Sequence, residues 1–110
     1  QAVRESLVLL KNQAGILPLD PKKRVLVLGD GANDMGKQSG GWTLNWQGTG
    51  TKRSDYPNGN TIWEGLDKQI KAAGGKAELA VDGAYKTKPD VAVVVFGENP
   101  YAEFQGDIAT

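Results

Sequence analysis

Two hydrophobic periodicities alternate along this chain, and one long interval has neither. Residues 2 to 11 place Val3, Leu7 and Leu10 on one helical face, with Arg4, Glu5 and Lys11 off it. Asn12 and Gly15 predict the end of that helix, and Leu17-Pro18-Leu19 predicts an extended run into Asp20-Pro21. Arg24 to Gly29 then sets a short apolar run between a basic patch and a glycine, the pattern of a parallel strand buried on both faces. Thr61-Ile62-Trp63-Glu64 has capping-box spacing, with the Thr oxygen taking a first-turn N–H and Glu64 reaching back. Ile62, Leu66 and Ile70, with Trp63 and Ala73, form an apolar stripe, while Asp67, Lys68 and Lys71 face solvent. Gly74-Gly75 predicts a left-handed helix stop. Lys76 to Val81 alternates only in part and predicts a weak strand. Asp90 to Gly97 is rich in β-branched residues and predicts a third, fully buried strand.

A strand, a helix and a strand in that order, followed by another strand, predict a βαβ unit extended by one. The expected fold class is α/β: a mostly parallel sheet flanked by helices, a partial sandwich with flavodoxin-like strand order 2-1-3. Two strong strands and one weak one make too small a sheet to cover both faces, so further strands are expected outside this sequence. Residues 1–20 are expected to be a helical and extended lead-in, and 21–110 the body of the domain.

Gly29 to Asn60 is the interval without periodicity, dense in Gly, Asn, Asp, Ser and Thr. A loop of this length inside a small domain points to function, with short helical turns in parts of it. It carries Gly40-Gly41-Trp42-Thr43-Leu44-Asn45-Trp46-Gln47-Gly48, which sets Trp42 and Trp46 close together between glycines. Indole stacks on the C–H face of a sugar, and Asn, Gln and Thr pair with hydroxyls, so the stretch suits a carbohydrate platform. The competing reading, that both rings plug a hydrophobic gap, stays open on this stretch alone. Trp63 differs, because its helical stripe assigns it to the core.

Composition narrows the chemistry. The 110 residues contain no cysteine and no histidine, which excludes thiol catalysis and leaves acid–base work to carboxylates, Lys or Tyr. Thirteen basic residues balance thirteen acidic ones, so nothing argues for nucleic acid or an anionic membrane. The chain lacks an initiator Met and starts inside a helical pattern, so it is expected to be a segment of something longer.

Both candidate functional segments begin where an apolar strand ends. One is the tryptophan loop; the other is Glu98-Asn99-Pro100-Tyr101-Ala102-Glu103-Phe104-Gln105-Gly106-Asp107. With order 2-1-3 the two leave neighbouring strands and are expected to meet at the topological switch point. Glu103, between Tyr101 and Phe104, fits a general acid whose proton is retained by desolvation; Glu98 at the strand end is its competitor, and either could instead be a solvated loop acid. Gly29-Asp30-Gly31 matches only the opening of a dinucleotide fingerprint: Asp34 stands where the third glycine belongs and would repel a pyrophosphate. Asp30, Asp34 and Asp55 lack cation-ligand spacing, so neither metal nor cofactor is expected. A non-catalytic carbohydrate-binding α/β module is the alternative to an enzyme, and a flavodoxin-like nucleotide or signalling domain is a third reading.

Glu5-Ser6-Leu7-Val8-Leu9-Leu10-Lys11-Asn12 with Gly15-Ile16-Leu17-Pro18-Leu19 resembles the start of the second domain of family 3 glycoside hydrolases. The double-tryptophan stretch is similar to the substrate loop of that family's glucan exohydrolase branch, and Gly97 to Asp107 to its acid/base loop. The resemblance implies a retaining β-glucosidase or exo-β-glucan glucohydrolase acting on β-glucosides or β-glucan oligosaccharides. It implies Glu103 as general acid/base, Trp46 as an aromatic clamp for the sugar, and Trp42 as its support or a contributor to the same surface. It places an Asp nucleophile on a (β/α)8 barrel that this sequence does not contain, with the remainder of the sandwich domain as a further partner. It also implies a periplasmic or secreted setting, and that the segment alone is inactive.

Overall fold

β1 (Arg24–Leu28) lies at the centre of a three-stranded sheet in a computed structural model, which describes residues 1–106. β2 (Lys76–Leu79) and β3 (Val91–Val94) pair with it on either side, both parallel, giving the expected order β2-β1-β3. Val25 and Val27 of β1 are fully buried against Ile70 of the covering helix α3 (Ile62–Ala72), with Trp63, Leu66, Val91 and Val93 packed around them. Each such aliphatic side chain contributes about 1.5–3 kcal/mol by leaving water.

The ends of α3 follow its sequence signals. The Thr61 hydroxyl accepts the Glu64 N–H at 3.1 Å, and the Glu64 carboxylate accepts the Thr61 N–H at 2.9 Å. At the other end Gly74, at φ +83°, lets its N–H reach the Lys71 carbonyl while the Gly75 N–H reaches that of Ile70. This is a Schellman closure, and its left-handed residue favours glycine.

Three expectations fail. The first helix, α1, runs only Ala2–Ser6, and the chain turns extended at Leu7. Val3, Leu7 and Leu10 are exposed, so among the described residues the amphipathic face has no surface to bury against, and a short unsupported helix is marginal. β3 is not fully buried: it alternates half-buried and exposed residues, with Val94 57% exposed. Among the described residues only its α3-facing side has a covering layer, and no strand pairs with its outer edge. On α3, Ile62 lies exposed at the first turn, and Asp67 is half-buried and paired with Lys71 rather than free in solvent. Among the described residues no helix is long and apolar enough to cross a membrane.

The long interval after β1 is ordered by polar anchors. It holds a short helix α2 (Met35–Ser39), capped by Asp34, and a 3-10 turn at Arg53–Asp55. The Arg53 guanidinium grips both oxygens of Glu64 at 3.1 and 3.0 Å and donates to the carbonyls of Tyr56 and Gly59. Thr61, buried at the start of α3, also donates to Asn33 at 2.8 Å. The loop is thereby tied to the helix that covers the sheet.

Candidate active site

Both candidate segments leave the carboxyl end of the sheet from adjacent strands, β1 and β3, as their order requires. Between them lies a cavity of about 420 Å3 lined by Lys37, Gly40 and Gly41 from one side and Glu98 to Tyr101 from the other. Lys37, on α2, closes its base. Its ammonium pairs with Asp30 at 2.8 Å, just past β1, and donates to the Gly97 carbonyl at 3.0 Å, just past β3. The hydrogen bond from Lys37 holds the Asp30 carboxyl below its ordinary value.

The tryptophan stretch is a closed loop, with the Trp42 N–H donating to the Trp46 carbonyl at 2.9 Å. Trp42 is 68% exposed and Trp46 45% exposed, and neither belongs to the core cluster among the described residues. Their ring centroids lie 6.3 Å apart and tilted by 54°. Phe104, from the second loop, meets Trp46 edge-on at 6.1 Å. Three aromatic rings thus form one wall open to solvent. Trp42, Leu44 and Phe104 all sit near φ +60°, a region costing a bulky residue about 1–3 kcal/mol.

The polar side chains of the stretch do something other than expected. Thr43 donates to the Ser39 carbonyl; Asn45 donates to Thr49 and accepts from the Gly48 N–H. Gln47 accepts the Ala102 N–H at 2.8 Å and donates to the Glu103 carbonyl at 2.9 Å. A loop without a strand ladder must satisfy its backbone with side chains, so these groups hold the loops instead of waiting for sugar hydroxyls. The loops also touch directly: a Cβ at Gly41 would overlap the Tyr101 carbonyl, so only glycine permits that approach.

Glu103 and Glu98 separate clearly. Glu98 accepts a hydrogen bond from the Tyr101 hydroxyl within its own loop at 2.9 Å. Glu103 is exposed beside the aromatic wall, its backbone held by Gln47. The neighbouring aromatics do not cover it, Phe104 itself being 90% exposed, so the desolvated setting expected for Glu103 is not built by these residues. Asp107 lies outside the described residues. Nothing in the sequence points to Lys37, and the pattern suggests other parts for Gln47, a partner of sugar hydroxyls, and for Phe104, a cover for Glu103, than the contacts they make here. The one available signal was adjacency: Gln47 follows Trp46 and Phe104 follows Glu103.

The pattern of the glycosyl hydrolase family 3 C-terminal domain matches residues 7–109. A lysosomal beta glucosidase of Dictyostelium discoideum is 36% identical over 94% of this chain and 15% of its own. Two crystal structures of the exo-1,3/1,4-beta-glucanase ExoP from a Pseudoalteromonas species, one of them a point variant, are each 55% identical. The variant superposes with a TM-score of 0.93 over 97% of this chain and 17% of its own. The other does so at 0.90 over 93% and 13%. The chain therefore spans about a sixth of the length of these relatives. By the family match and by these relatives, the chain belongs to glycosyl hydrolase family 3, within its C-terminal domain.

Proposed function

We propose that this chain is the acid-bearing wall of a retaining, exo-acting β-glucosidase or β-glucan glucohydrolase. The observation that carries the reading is the union of the two loops: Trp42, Trp46 and Phe104 form one aromatic surface, and Glu103 stands at its margin. The relatives named a beta glucosidase and an exo-1,3/1,4-beta-glucanase supply the substrate class, a β-linked glucoside or glucan oligosaccharide. In this reading the sugar ring stacks on Trp46, with Trp42 extending the surface. Glu103 protonates the departing glycosidic oxygen, then removes a proton from the water that releases the sugar from the enzyme. The nucleophilic carboxylate comes from a (β/α)8 barrel elsewhere in the polypeptide, and retention needs it about 5–5.5 Å from Glu103. Such a neighbour would also supply the desolvation that Tyr101 and Phe104 do not. Residues 1–20 are the lead-in from that barrel. The open edge and exposed face of β3 are where the remainder of the sandwich continues the sheet.

The test is Glu103→Gln in the complete enzyme, read as kcat/KM, which reports the bond-breaking step. A glucoside with a poor leaving group should lose about 10²–10⁴-fold, the range expected for general acid catalysis. An activated dinitrophenyl glucoside, whose leaving group needs no proton, should change by no more than a few-fold. Retention of both activities would remove Glu103 from the reaction.

A further inference from the structure

We propose that Gln47 is the positioning residue for Glu103, setting the acid at a fixed distance from the sugar platform; the inference rests on the reading of Glu103 as the acid. Its amide behaves as a substitute peptide unit. The oxygen accepts the Ala102 N–H at 2.8 Å and the nitrogen donates to the Glu103 carbonyl at 2.9 Å. One bond would leave the acid loop free to swivel about it. Two bonds, to groups on either side of the 102–103 peptide, fix the plane from which the Glu103 side chain departs.

The placement of Gln47 gives the clamp its meaning. The residue before it, Trp46, meets Phe104, the residue after Glu103. Consecutive residues of one loop therefore grip consecutive residues of the other, by ring contact at 46–104 and by amide pairing at 47–103. Residues 46–47 and 103–104 lie in no helix or strand, so no ladder holds this register. Lys37 ties the loops only at their roots, through Asp30 and Gly97. Gly41 brings the backbones close at Tyr101, two residues before Glu103. Gln47 is half-buried, so its amide works where water competes less.

A misplacement of the acid by a fraction of an ångström affects proton transfer far more than sugar stacking. In the complete enzyme Gln47→Met keeps the length of the side chain and removes both bonds. We expect kcat/KM for phenyl β-glucoside to fall about 10- to 100-fold, and that for an activated dinitrophenyl glucoside by less than about threefold. Affinity for a competitive glucose-type inhibitor should stay within about twofold, because Trp46 remains. Equal losses on both glucosides, or no loss on either, would overturn the positioning role. Glu103→Gln is measured beside it: if that variant shows no leaving-group dependence, the acid assignment itself fails, a result distinct from failure of the clamp. Should Gln47→Met not fold, Gln47→Glu retains the acceptor for the Ala102 N–H and loses the donor to Glu103; the same ratio of the two activities then decides.

Discussion

The α3-covered face of the sheet and the loops at its carboxyl end are held by different interactions. Under α3, Val25, Val27 and Ile70 exclude water almost completely, and their contribution is apolar burial. At the loops, Trp42, Trp46 and Phe104 point outward, and the chain is fixed by polar side chains bonded to backbone: Asn45, Gln47, Lys37 and Arg53. Apolar burial is non-directional and scales with area, whereas an amide pair specifies a position to within tenths of an ångström. One region therefore supplies stability and the other supplies geometry. Variants should divide accordingly.

The largest effect is expected from Ile70→Ala. It removes buried aliphatic volume at the centre of the α3 interface, at a cost of about 2–5 kcal/mol. Native-state hydrogen exchange at the β1 amides of the complete protein reads that loss locally, apart from the unfolding of other domains. Affinity for a glucoside, per folded molecule, should be unchanged. A loss of affinity at full folding would mean that the two regions are not separable.

The same division explains what the sequence disclosed. Strands and helix under apolar burial carry a period, and Val25 to Leu28, Leu66 and Ile70 reveal themselves by it. The caps at Thr61, Glu64 and Gly74 carry a local signature, and the strand order is that of the flavodoxin-like doubly wound pattern the element sequence suggests. Patterning could not show that β3 would be half exposed, since a run of valines looks alike whether one face or both are covered. Nor could it show that residues 7–11 would leave the helix, because an amphipathic stripe does not state what it packs against. The loops were legible only as a place. Trp42, Trp46 and Glu103 stood out by residue type and by position after strands. The role of Gln47 did not, because its partners lie 55 and 56 residues away and a hydrogen bond between side chain and backbone leaves no periodic trace.

Trp46→Ala tests the other half of the comparison. If the ring stacks on sugar, glucoside binding in the complete enzyme should weaken by about 1–3 kcal/mol, the range of aromatic truncations at binding surfaces. Since Trp46 is nearly half exposed and contacts Trp42 and Phe104 rather than the core cluster, the exchange protection of β1 should hold to within about 0.5 kcal/mol. Loss of protection comparable to that of Ile70→Ala would assign the ring to the core after all.

The smallest effect, and the sharpest on where the boundary lies, comes from acid. Two carboxylates link the loops to the scaffold: Asp30 to Lys37, and Glu64 to Arg53. Asp30 is held below its ordinary 3.8 by the Lys37 hydrogen bond, and Glu64 below its ordinary 4.5 by hydrogen bonds from Arg53 and then from the Thr61 N–H. Because both are depressed in the folded state, their contribution is fully present above the ordinary values. It fades as pH falls from about 5 through the depressed folded values. The cation partners stay charged throughout, and no apolar contact under α3 titrates in that window. Acid should therefore loosen the loops before the sheet. A Trp63→Phe background leaves Trp42 and Trp46 as this segment's only indoles; moved, with the same linkage, into a scaffold lacking other tryptophans, their fluorescence reports the loops. That signal should change at higher pH than β1 exchange protection. Asp30→Asn and Glu64→Gln should each flatten it, and added salt should weaken it, most at the Arg53–Glu64 pair, where both partners reach solvent, and less at Asp30, whose Lys37 partner is largely covered. Coincident transitions of the two probes would show loops and sheet to be one cooperative unit.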